Sequence, residues 1–308
     1  MNGSSCFVIL HYGENVKITM DAVAAIRRLQ KSEQADIIIV CNGAQYDIRN
    51  KVDLCDLGDI NVVVLPENVG FSAGNNIGYI YAKEHGEYDF VVVMNNDVII
   101  KQTDFLERLQ KIYRKHPFYV CGPDIYTPAI AYHSSPINRD ILTLSDLDAV
   151  IRNREEQNRQ LSSKLSLFSL KSYLIEAFYG RSVLSSIFKI WRMIKRNDNG
   201  YEREQSDVVL QGSCLIFSKD YIHQNEKAFV PEVFLYFEEY YLTQRCRRNG
   251  WEILYSPEIS VIHNHRGSSG LRGQRYYAYC DKRKAINMRF IAAAKEAKTI
   301  LHGSVVER

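Results

Sequence analysis

Three short runs, Ile37–Val40, Val62–Leu65 and Phe90–Val93, are apolar at every position and rich in β-branched residues. A strand with one wet face alternates polar and apolar residues. One that is apolar throughout is covered on both faces, the habit of parallel strands sandwiched between helices. Around these runs the chain alternates strand-like and helix-like segments: Cys6–Leu10, Val16–Lys31, Asp36–Cys41, Asn61–Leu65, Ser72–His85 and Asp89–Met94. That rhythm predicts an α/β fold with a mostly parallel central sheet and helices on both faces. Ligands of such sheets gather beyond the carboxyl ends of the strands. The segments to watch are therefore Tyr12–Glu14, Cys41–Gly43, Pro66–Gly74 and Asn95–Asp97.

Beyond residue 125 the pattern changes. Residues 126–207 are polar, then basic and amphipathic, and read as a mainly helical insertion without a convincing strand. Strand-like sequence returns at Val208–Leu210 and Cys214–Phe217. A helix is expected from Glu238 to Asn249, stopped by Gly250, then strands at Glu252–Tyr255 and Glu258–Ile262 and helical sequence at Tyr276–Lys298. The expected organisation is thus 1–125, 126–207 and 208–308. With 46% apolar residues the chain can close a substantial core, and a net charge of only +3 lacks the basic face a nucleic-acid partner requires. The seven cysteines are scattered, odd in number and free of any C-x-x-C pair, so neither a disulfide framework nor a zinc site is expected, and a reducing cytoplasmic setting is. The apolar run Phe7–Leu10 is too short for a signal peptide or a membrane span.

Four constellations carry chemistry. Asn95-Asn96-Asp97 places one carboxylate and two amides where a strand ends, suiting Mg²⁺ or Mn²⁺ that shares its shell with a diphosphate; the same tripeptide also makes an ordinary turn. Asn68 to Asn76 joins a strand to a helix, with Gly70 and Gly74 allowing close backbone approach and Ser72 available as a helix cap. It is neither a dinucleotide fingerprint nor a P-loop. Glu238 and Glu239 open a helix after an aromatic run, where a carboxylate can act as general base or merely complement the helix dipole. His263 to Ser269 follows a strand; its histidine can ligate a metal or contact a phosphate, and Arg266 and Ser268 offer donors to an anion.

Taken together, and in this order, the segments Asn68–Asn76, Asn95–Asp97, Gln211–Leu215, Tyr236–Arg245 and His263–Ser268 resemble the family-two glycosyltransferases of GT-A fold, particularly bacterial rhamnosyltransferase-like members that build surface polysaccharides. The resemblance implies a nucleoside-diphosphate-sugar donor, a saccharide or lipid-linked saccharide acceptor and a metal-dependent inverting transfer. Residues 1–125 would be the nucleotide-sugar half and 208–308 the acceptor and catalytic half. It implies Asp97 as the last acid of the metal motif with His263 by the diphosphate, and Glu239 as the catalytic acid residue with Glu238 beside it. Donor contacts would come from Tyr12, Glu14, Asn42, Asn68, Gly70, Phe71, Gly74, Asn75, Asn95, Asn96 and Asp97. Acceptor or phosphate contacts would come from Gln211, Gly212, Arg245, His265, Arg266 and Ser268. The chain departs from the family at Val40-Cys-Asn-Gly-Ala44, where Val-Asp-Asn-x-Ser is usual and the Asp meets the nucleotide base. That leaves Asn42 to offer its amide to the base edge, or a weaker donor pocket. Two other readings stay open: a sugar-1-phosphate nucleotidyltransferase, whose basic glycine-rich loop His11–Asn15 does not supply, and a degenerate transferase serving as a scaffold subunit, motivated by Cys41.

Residues 161–199 carry a net charge of +5, against −2 for the rest of the chain. Leu167, Leu170, Leu174 and Phe178, then Leu184, Ile187, Phe188 and Trp191, recur at helical spacing. A cationic, Trp-bearing amphipathic segment of this kind suits the headgroup region of an anionic membrane, placing the enzyme peripherally at the inner face of the cell membrane; it equally suits helices packed on the protein's own core or on a second subunit.

Overall fold

The computed structural model describes residues 4–128, 131–162, 167, 170, 173, 200–264 and 275–306. The chain divides into two compact units, Met1–Ile141 with Met193–Arg266, and Leu142–Arg192 with Gly267–Arg308.

The first unit is built on one sheet. Its strands are β1 (Ser5–His11), β2 (Ala35–Cys41), β3 (Asn61–Val64), β4 (Phe90–Asn95), β5 (Val98–Ile99), β6 (Val120–Thr127), β7 (Tyr132–His133), β8 (Gln205–Ser206), β9 (Cys214–Ser218) and β10 (Ile253–His263). They run in the order β3-β2-β1-β4-β9-β6-β10-β5, with β7 on β6 and β8 on β10. The ladders β3-β2-β1-β4 and β6-β10 are parallel, and β9 lies antiparallel between β4 and β6. The helices of this unit are α1 (Val16–Arg27), α2 (Leu54–Leu57), α3 (Phe71–His85), α4 (Phe105–Lys115), then, after α5 (Leu144–Ser162) of the second unit, α6 (Lys219–Gln224) and α7 (Glu238–Asn249). This is the mixed α/β layout the apolar runs predict, and it is consistent with the GT-A fold the resemblance implies.

Those runs are apolar throughout because successive side chains of a strand feed two different cores. Phe7 and Ile9 of β1, with Ile37 and Ile39 of β2, join Ala22, Val23 and Ile26 of α1 and Leu109 and Ile112 of α4. Val8, Leu10, Ile38 and Val40, one position out of step, join Tyr79 and Ala82 of α3 and Leu242 of α7. Both faces are dry along these runs, so a polar side chain placed there without a hydrogen-bond partner would be costly.

Three expectations need correction. Glu252–Tyr255 and Glu258–Ile262 are one strand, β10, whose pairing with β6 shifts register between Ser256 and Ser260. Pro257 has no N–H to give a ladder, and the irregularity absorbs it. The stretch 126–207 is not strand-free, since β7 and β8 lie near its ends; pairs of two residues carry no readable periodicity. Val208–Leu210 is buried but forms no strand of the sheet; Val209 makes an isolated antiparallel bridge to Asn138.

The second unit pairs α5 with α8 (Tyr276–Val306). Leu161, Tyr279 and Cys280 form its small core, with Tyr173, Tyr276 and Ile286 packed against it. The Arg154 guanidinium donates to Asn287 Oδ1 at 3.1 Å and lies 4.5 Å from the centre of the Phe290 ring. Most of 161–199, with its amphipathic pattern, lies outside the described residues; Leu167 there is 84% exposed. No helix among the described residues is long and apolar enough to cross a membrane.

Candidate active site

Five segments meet the carboxyl-end edge of the sheet, and hydrogen bonds stitch them together. β4 ends at Asn95, and two residues later Asp97 lies beside the end of β10: His263 faces Val98 across the β5-β10 ladder and Asn264 N donates to Asp97 O at 3.0 Å. His263 Nε2 comes to 3.2 Å from Asp97 Oδ1, with both side chains largely buried. Residues far apart in the chain therefore present one carboxylate oxygen and one imidazole nitrogen together, a donor pair suited to Mn²⁺ or Mg²⁺ whose remaining positions a diphosphate and water would fill. Among the described residues no group of three or more His, Cys, Asp or Glu gathers to hold an ion unaided. A cavity of about 240 Å³ borders Asp97, lined also by Ile18, Asp21, Ala24, Arg28, Ile99 and Asn264.

Behind Asp97 lies a buried cluster that sequence reasoning missed. Asn96 Nδ2 donates to Thr19 Oγ1 at 3.0 Å, and Thr19 Oγ1 is 2.6 Å from His11 Nδ1. Burial, and then the charge of Lys51, push the His11 imidazole down to about 4. The ring is neutral, and the Thr19 hydroxyl, which accepts from Asn96, is also hydrogen-bonded to Nδ1. The Asn96 amide thus turns inward and anchors the turn that presents Asp97. The signal was readable: His11 ends β1 on the ligand-bearing edge.

The loop entering α3 is shaped by its own polar groups. Asn68 Oδ1 accepts from Gly70 N at 2.9 Å, Asn42 Oδ1 accepts from Val69 N at 2.9 Å, and Asn42 Nδ2 donates to Gly70 O at 3.0 Å. Both ends of the Asn42 amide are engaged here, and the side chain, 3% exposed, holds the loop instead of presenting itself to a base edge. Gly70 stands at φ +89, and a Cβ there would lie 2.4 Å from Phe234 O, a backbone atom that cannot swing away. Gly70→Ala is expected to cost about 1–3 kcal/mol of stability, read as a lower denaturant midpoint; an unchanged midpoint would refute the contact. Phe71 N donates to that same Phe234 carbonyl at 2.6 Å. Asn75 is fully buried and donates to Phe71 O at 3.0 Å. Ser72 is buried one position past the helix start and does not cap it. Gly74 serves helix-sheet packing, since a Cβ would meet Leu10 Cδ1 at 2.7 Å.

The acidic pair opens α7 after two non-glycine residues in the left-handed region, Tyr236 at φ 75 and Phe237 at φ 70. Such strain persists only where surrounding structure enforces it. Glu239 Oε1 accepts from Gly212 N at 3.2 Å, and a Cβ at Gly212 would lie 2.8 Å from that oxygen. Gln211 Oε1 accepts from Ser213 N at 2.8 Å and fixes the turn into β9. Ser213 O in turn accepts from Asn95 N at 2.9 Å. One short chain of contacts, Asp97 by Asn95, Asn95 to Ser213, Gly212 to Glu239, brings the two acids to the same edge of the sheet. Burial raises both carboxyls; Glu238, 6% exposed, rises well above the usual range through burial and then the charge of Glu239. The Gly212 N–H opposes the rise at Glu239 because it favours the charged form.

Arg245, two turns along α7, donates to Asn225 Oδ1 at 2.6 Å and to Tyr221 Oη at 3.1 Å, with its guanidinium over the Tyr221 and Trp251 rings. Helical geometry carries it away from the edge. Cys41 is fully buried in the core. Tyr12 is 51% exposed with its ring edge-on to Tyr46, and Glu14 pairs with Lys51. His265, Arg266 and Ser268 lie outside the described residues.

Residues 6–172 match glycosyl transferase family 2, more than half of the chain, and the protein belongs to that family. It is a glycosyltransferase, which displaces the nucleotidyltransferase reading. It is also similar to the low-salt glycan biosynthesis hexosyltransferase Agl10 of Haloferax volcanii, with 23% identity over 263 residues, 84% of this chain and 67% of that protein.

Proposed function

We propose that the protein moves a sugar from a nucleoside diphosphate to a hydroxyl of a saccharide or lipid-linked saccharide, with inversion, in glycan biosynthesis. The observation that carries this reading is the contact chain joining Asp97 to Glu239 through Asn95, Ser213 and Gly212. Asp97 and His263 would hold the divalent cation, and the loop Asn68–Gly70 would cradle the donor. Once bound, the cation would supply electrostatic stabilisation to the departing diphosphate.

Glu239 is the base. It takes the proton of the acceptor hydroxyl as that oxygen attacks the anomeric carbon and the bond to the diphosphate breaks on the opposite face. Burial pushes the Glu238 carboxyl well above the usual range, which disfavours a second negative charge beside the base. The hexosyltransferase likeness supports a hexose-type donor. Purified protein with Mn²⁺ and a panel of nucleotide sugars tests the reading: the true donor raises the melting temperature and is consumed when acceptor is added. No stabilisation and no turnover with any donor would refute it.

The basic segment 161–199 is proposed to rest on an anionic membrane, bringing the site to a lipid-linked acceptor. Liposomes containing anionic lipid are expected to sediment the full chain, and a variant lacking 161–199 is expected to remain in the supernatant. Equal sedimentation of both would sink the idea.

A further inference from the structure

The segment Ala228–Phe237 holds two apolar side chains out in solvent, Val230 at 41% and Phe234 at 53% exposure. Looseness does not explain this, because the backbone is pinned from α3. Asn76, itself buried, donates to Phe229 O at 2.8 Å and Glu232 Oε1 at 2.9 Å, and accepts from Phe229 N at 2.8 Å. Phe234 O accepts from Phe71 N, and a Cβ at Gly70 would lie 2.7 Å from both Phe234 Cα and Phe234 Cδ2. The ring thus has one edge against the glycine of the donor loop while about half of its surface stays open. It stands four residues before Glu238, on the segment that delivers the acidic pair to the sheet edge.

A fixed, half-bare phenyl ring forgoes about 25 cal/mol for each Å² it leaves wet, and a rigid loop that could have turned it inward does not. An open aromatic face carries partial negative charge and attracts the polarised C–H bonds of an apolar surface. Pyranoses offer such a surface where axial hydrogens line one side of the ring. Two side chains make too small a patch for a polyprenyl tail, but the area suits a single sugar ring.

We propose that Phe234 is the acceptor platform: a pyranose unit of the acceptor stacks its C–H face on this ring and thereby offers a hydroxyl to Glu239. The proposal rests on the transferase reading above and adds which part of the acceptor is recognised, and by what.

Saturation-transfer NMR on the full chain, with millimolar methyl β-D-glucopyranoside as probe, tests it. The axial ring protons are expected to take up more saturation than the methoxy group. Phe234→Ala is expected to lose the effect and Phe234→Trp to keep it. With a working acceptor, Phe234→Ala is expected to raise the acceptor KM about tenfold, while Phe234→Trp keeps it near the wild-type value. Equal saturation of wild type and Phe234→Ala, no saturation of wild type, or a raised donor KM in the variant would each overturn the platform. Failure of the transferase reading looks different: no nucleotide sugar is consumed or bound, while the glycoside signal still depends on Phe234.

Discussion

Glu239→Gln lowers the rate of transfer by about 10²–10⁴-fold and leaves donor binding intact, because the amide keeps the acceptor of the Gly212 N–H bond but cannot take a proton. Initial rates against acceptor, with nucleotide affinity measured separately, separate the two effects. Glu238→Gln is expected to cost much less, since burial pushes this carboxyl towards its neutral form, which an amide closely mimics. A dead Glu238→Gln enzyme beside an active Glu239→Gln one would exchange their roles. The same burial sets the pH dependence. The base must be ionised to work, and its pKa is raised, so activity falls on acidification through a pH above the ordinary glutamate value of about 4.3. An acidic limb at or below that value would mean that the Glu239 carboxylate is fully solvated and is not the half-buried base described here.

Asp97→Ala is expected to reduce turnover by about 10²–10³-fold, the loss that follows removal of one group stabilising charge on a leaving oxygen. Donor affinity falls with it, and the rise in melting temperature produced by nucleotide with Mn²⁺ disappears. Asp97→Asn is the sharper variant: it preserves the shape of the side chain beside His263 and removes the charge, so the protein without ligand keeps its melting temperature while the Mn²⁺ effect is lost. Isothermal titration of Mn²⁺ with nucleoside diphosphate reads this directly. A variant that still responds to Mn²⁺ as the wild type does would remove Asp97 from the cation site.

The main elements were legible because their causes are local. Unbroken apolar runs mark strands buried on both faces, and Gly250 at φ 66 ends α7 where a left-handed residue was expected. The same cannot be said of β7 and β8, two residues each, or of β10, which looked like two strands because Pro257 interrupts its pattern. Asp97, His263, Glu238 and Glu239 were singled out by their positions at element ends, and the fold brings these element ends to one edge of the sheet. The tasks of Asn42, Gly74 and Arg245 were misjudged because each is set by a neighbour distant in the chain: the Gly70 carbonyl, the Leu10 side chain and the Asn225 amide. Of the His11–Thr19 pair only the place of His11 at the end of β1 was legible, since the buried hydrogen bond between them depends on how α1 lies against β1.

Hydrophobic pattern alone, then, decided the layering of this protein and the edge on which its chemistry must sit, because period and burial are properties of neighbouring residues. Only the folded chain decided which polar groups are spent on holding loops and which remain for a substrate. An amide or guanidinium is committed by whatever lies within about 3 Å of it, and for Asn42, Asn96 and Arg245 those partners come from other segments of the sequence.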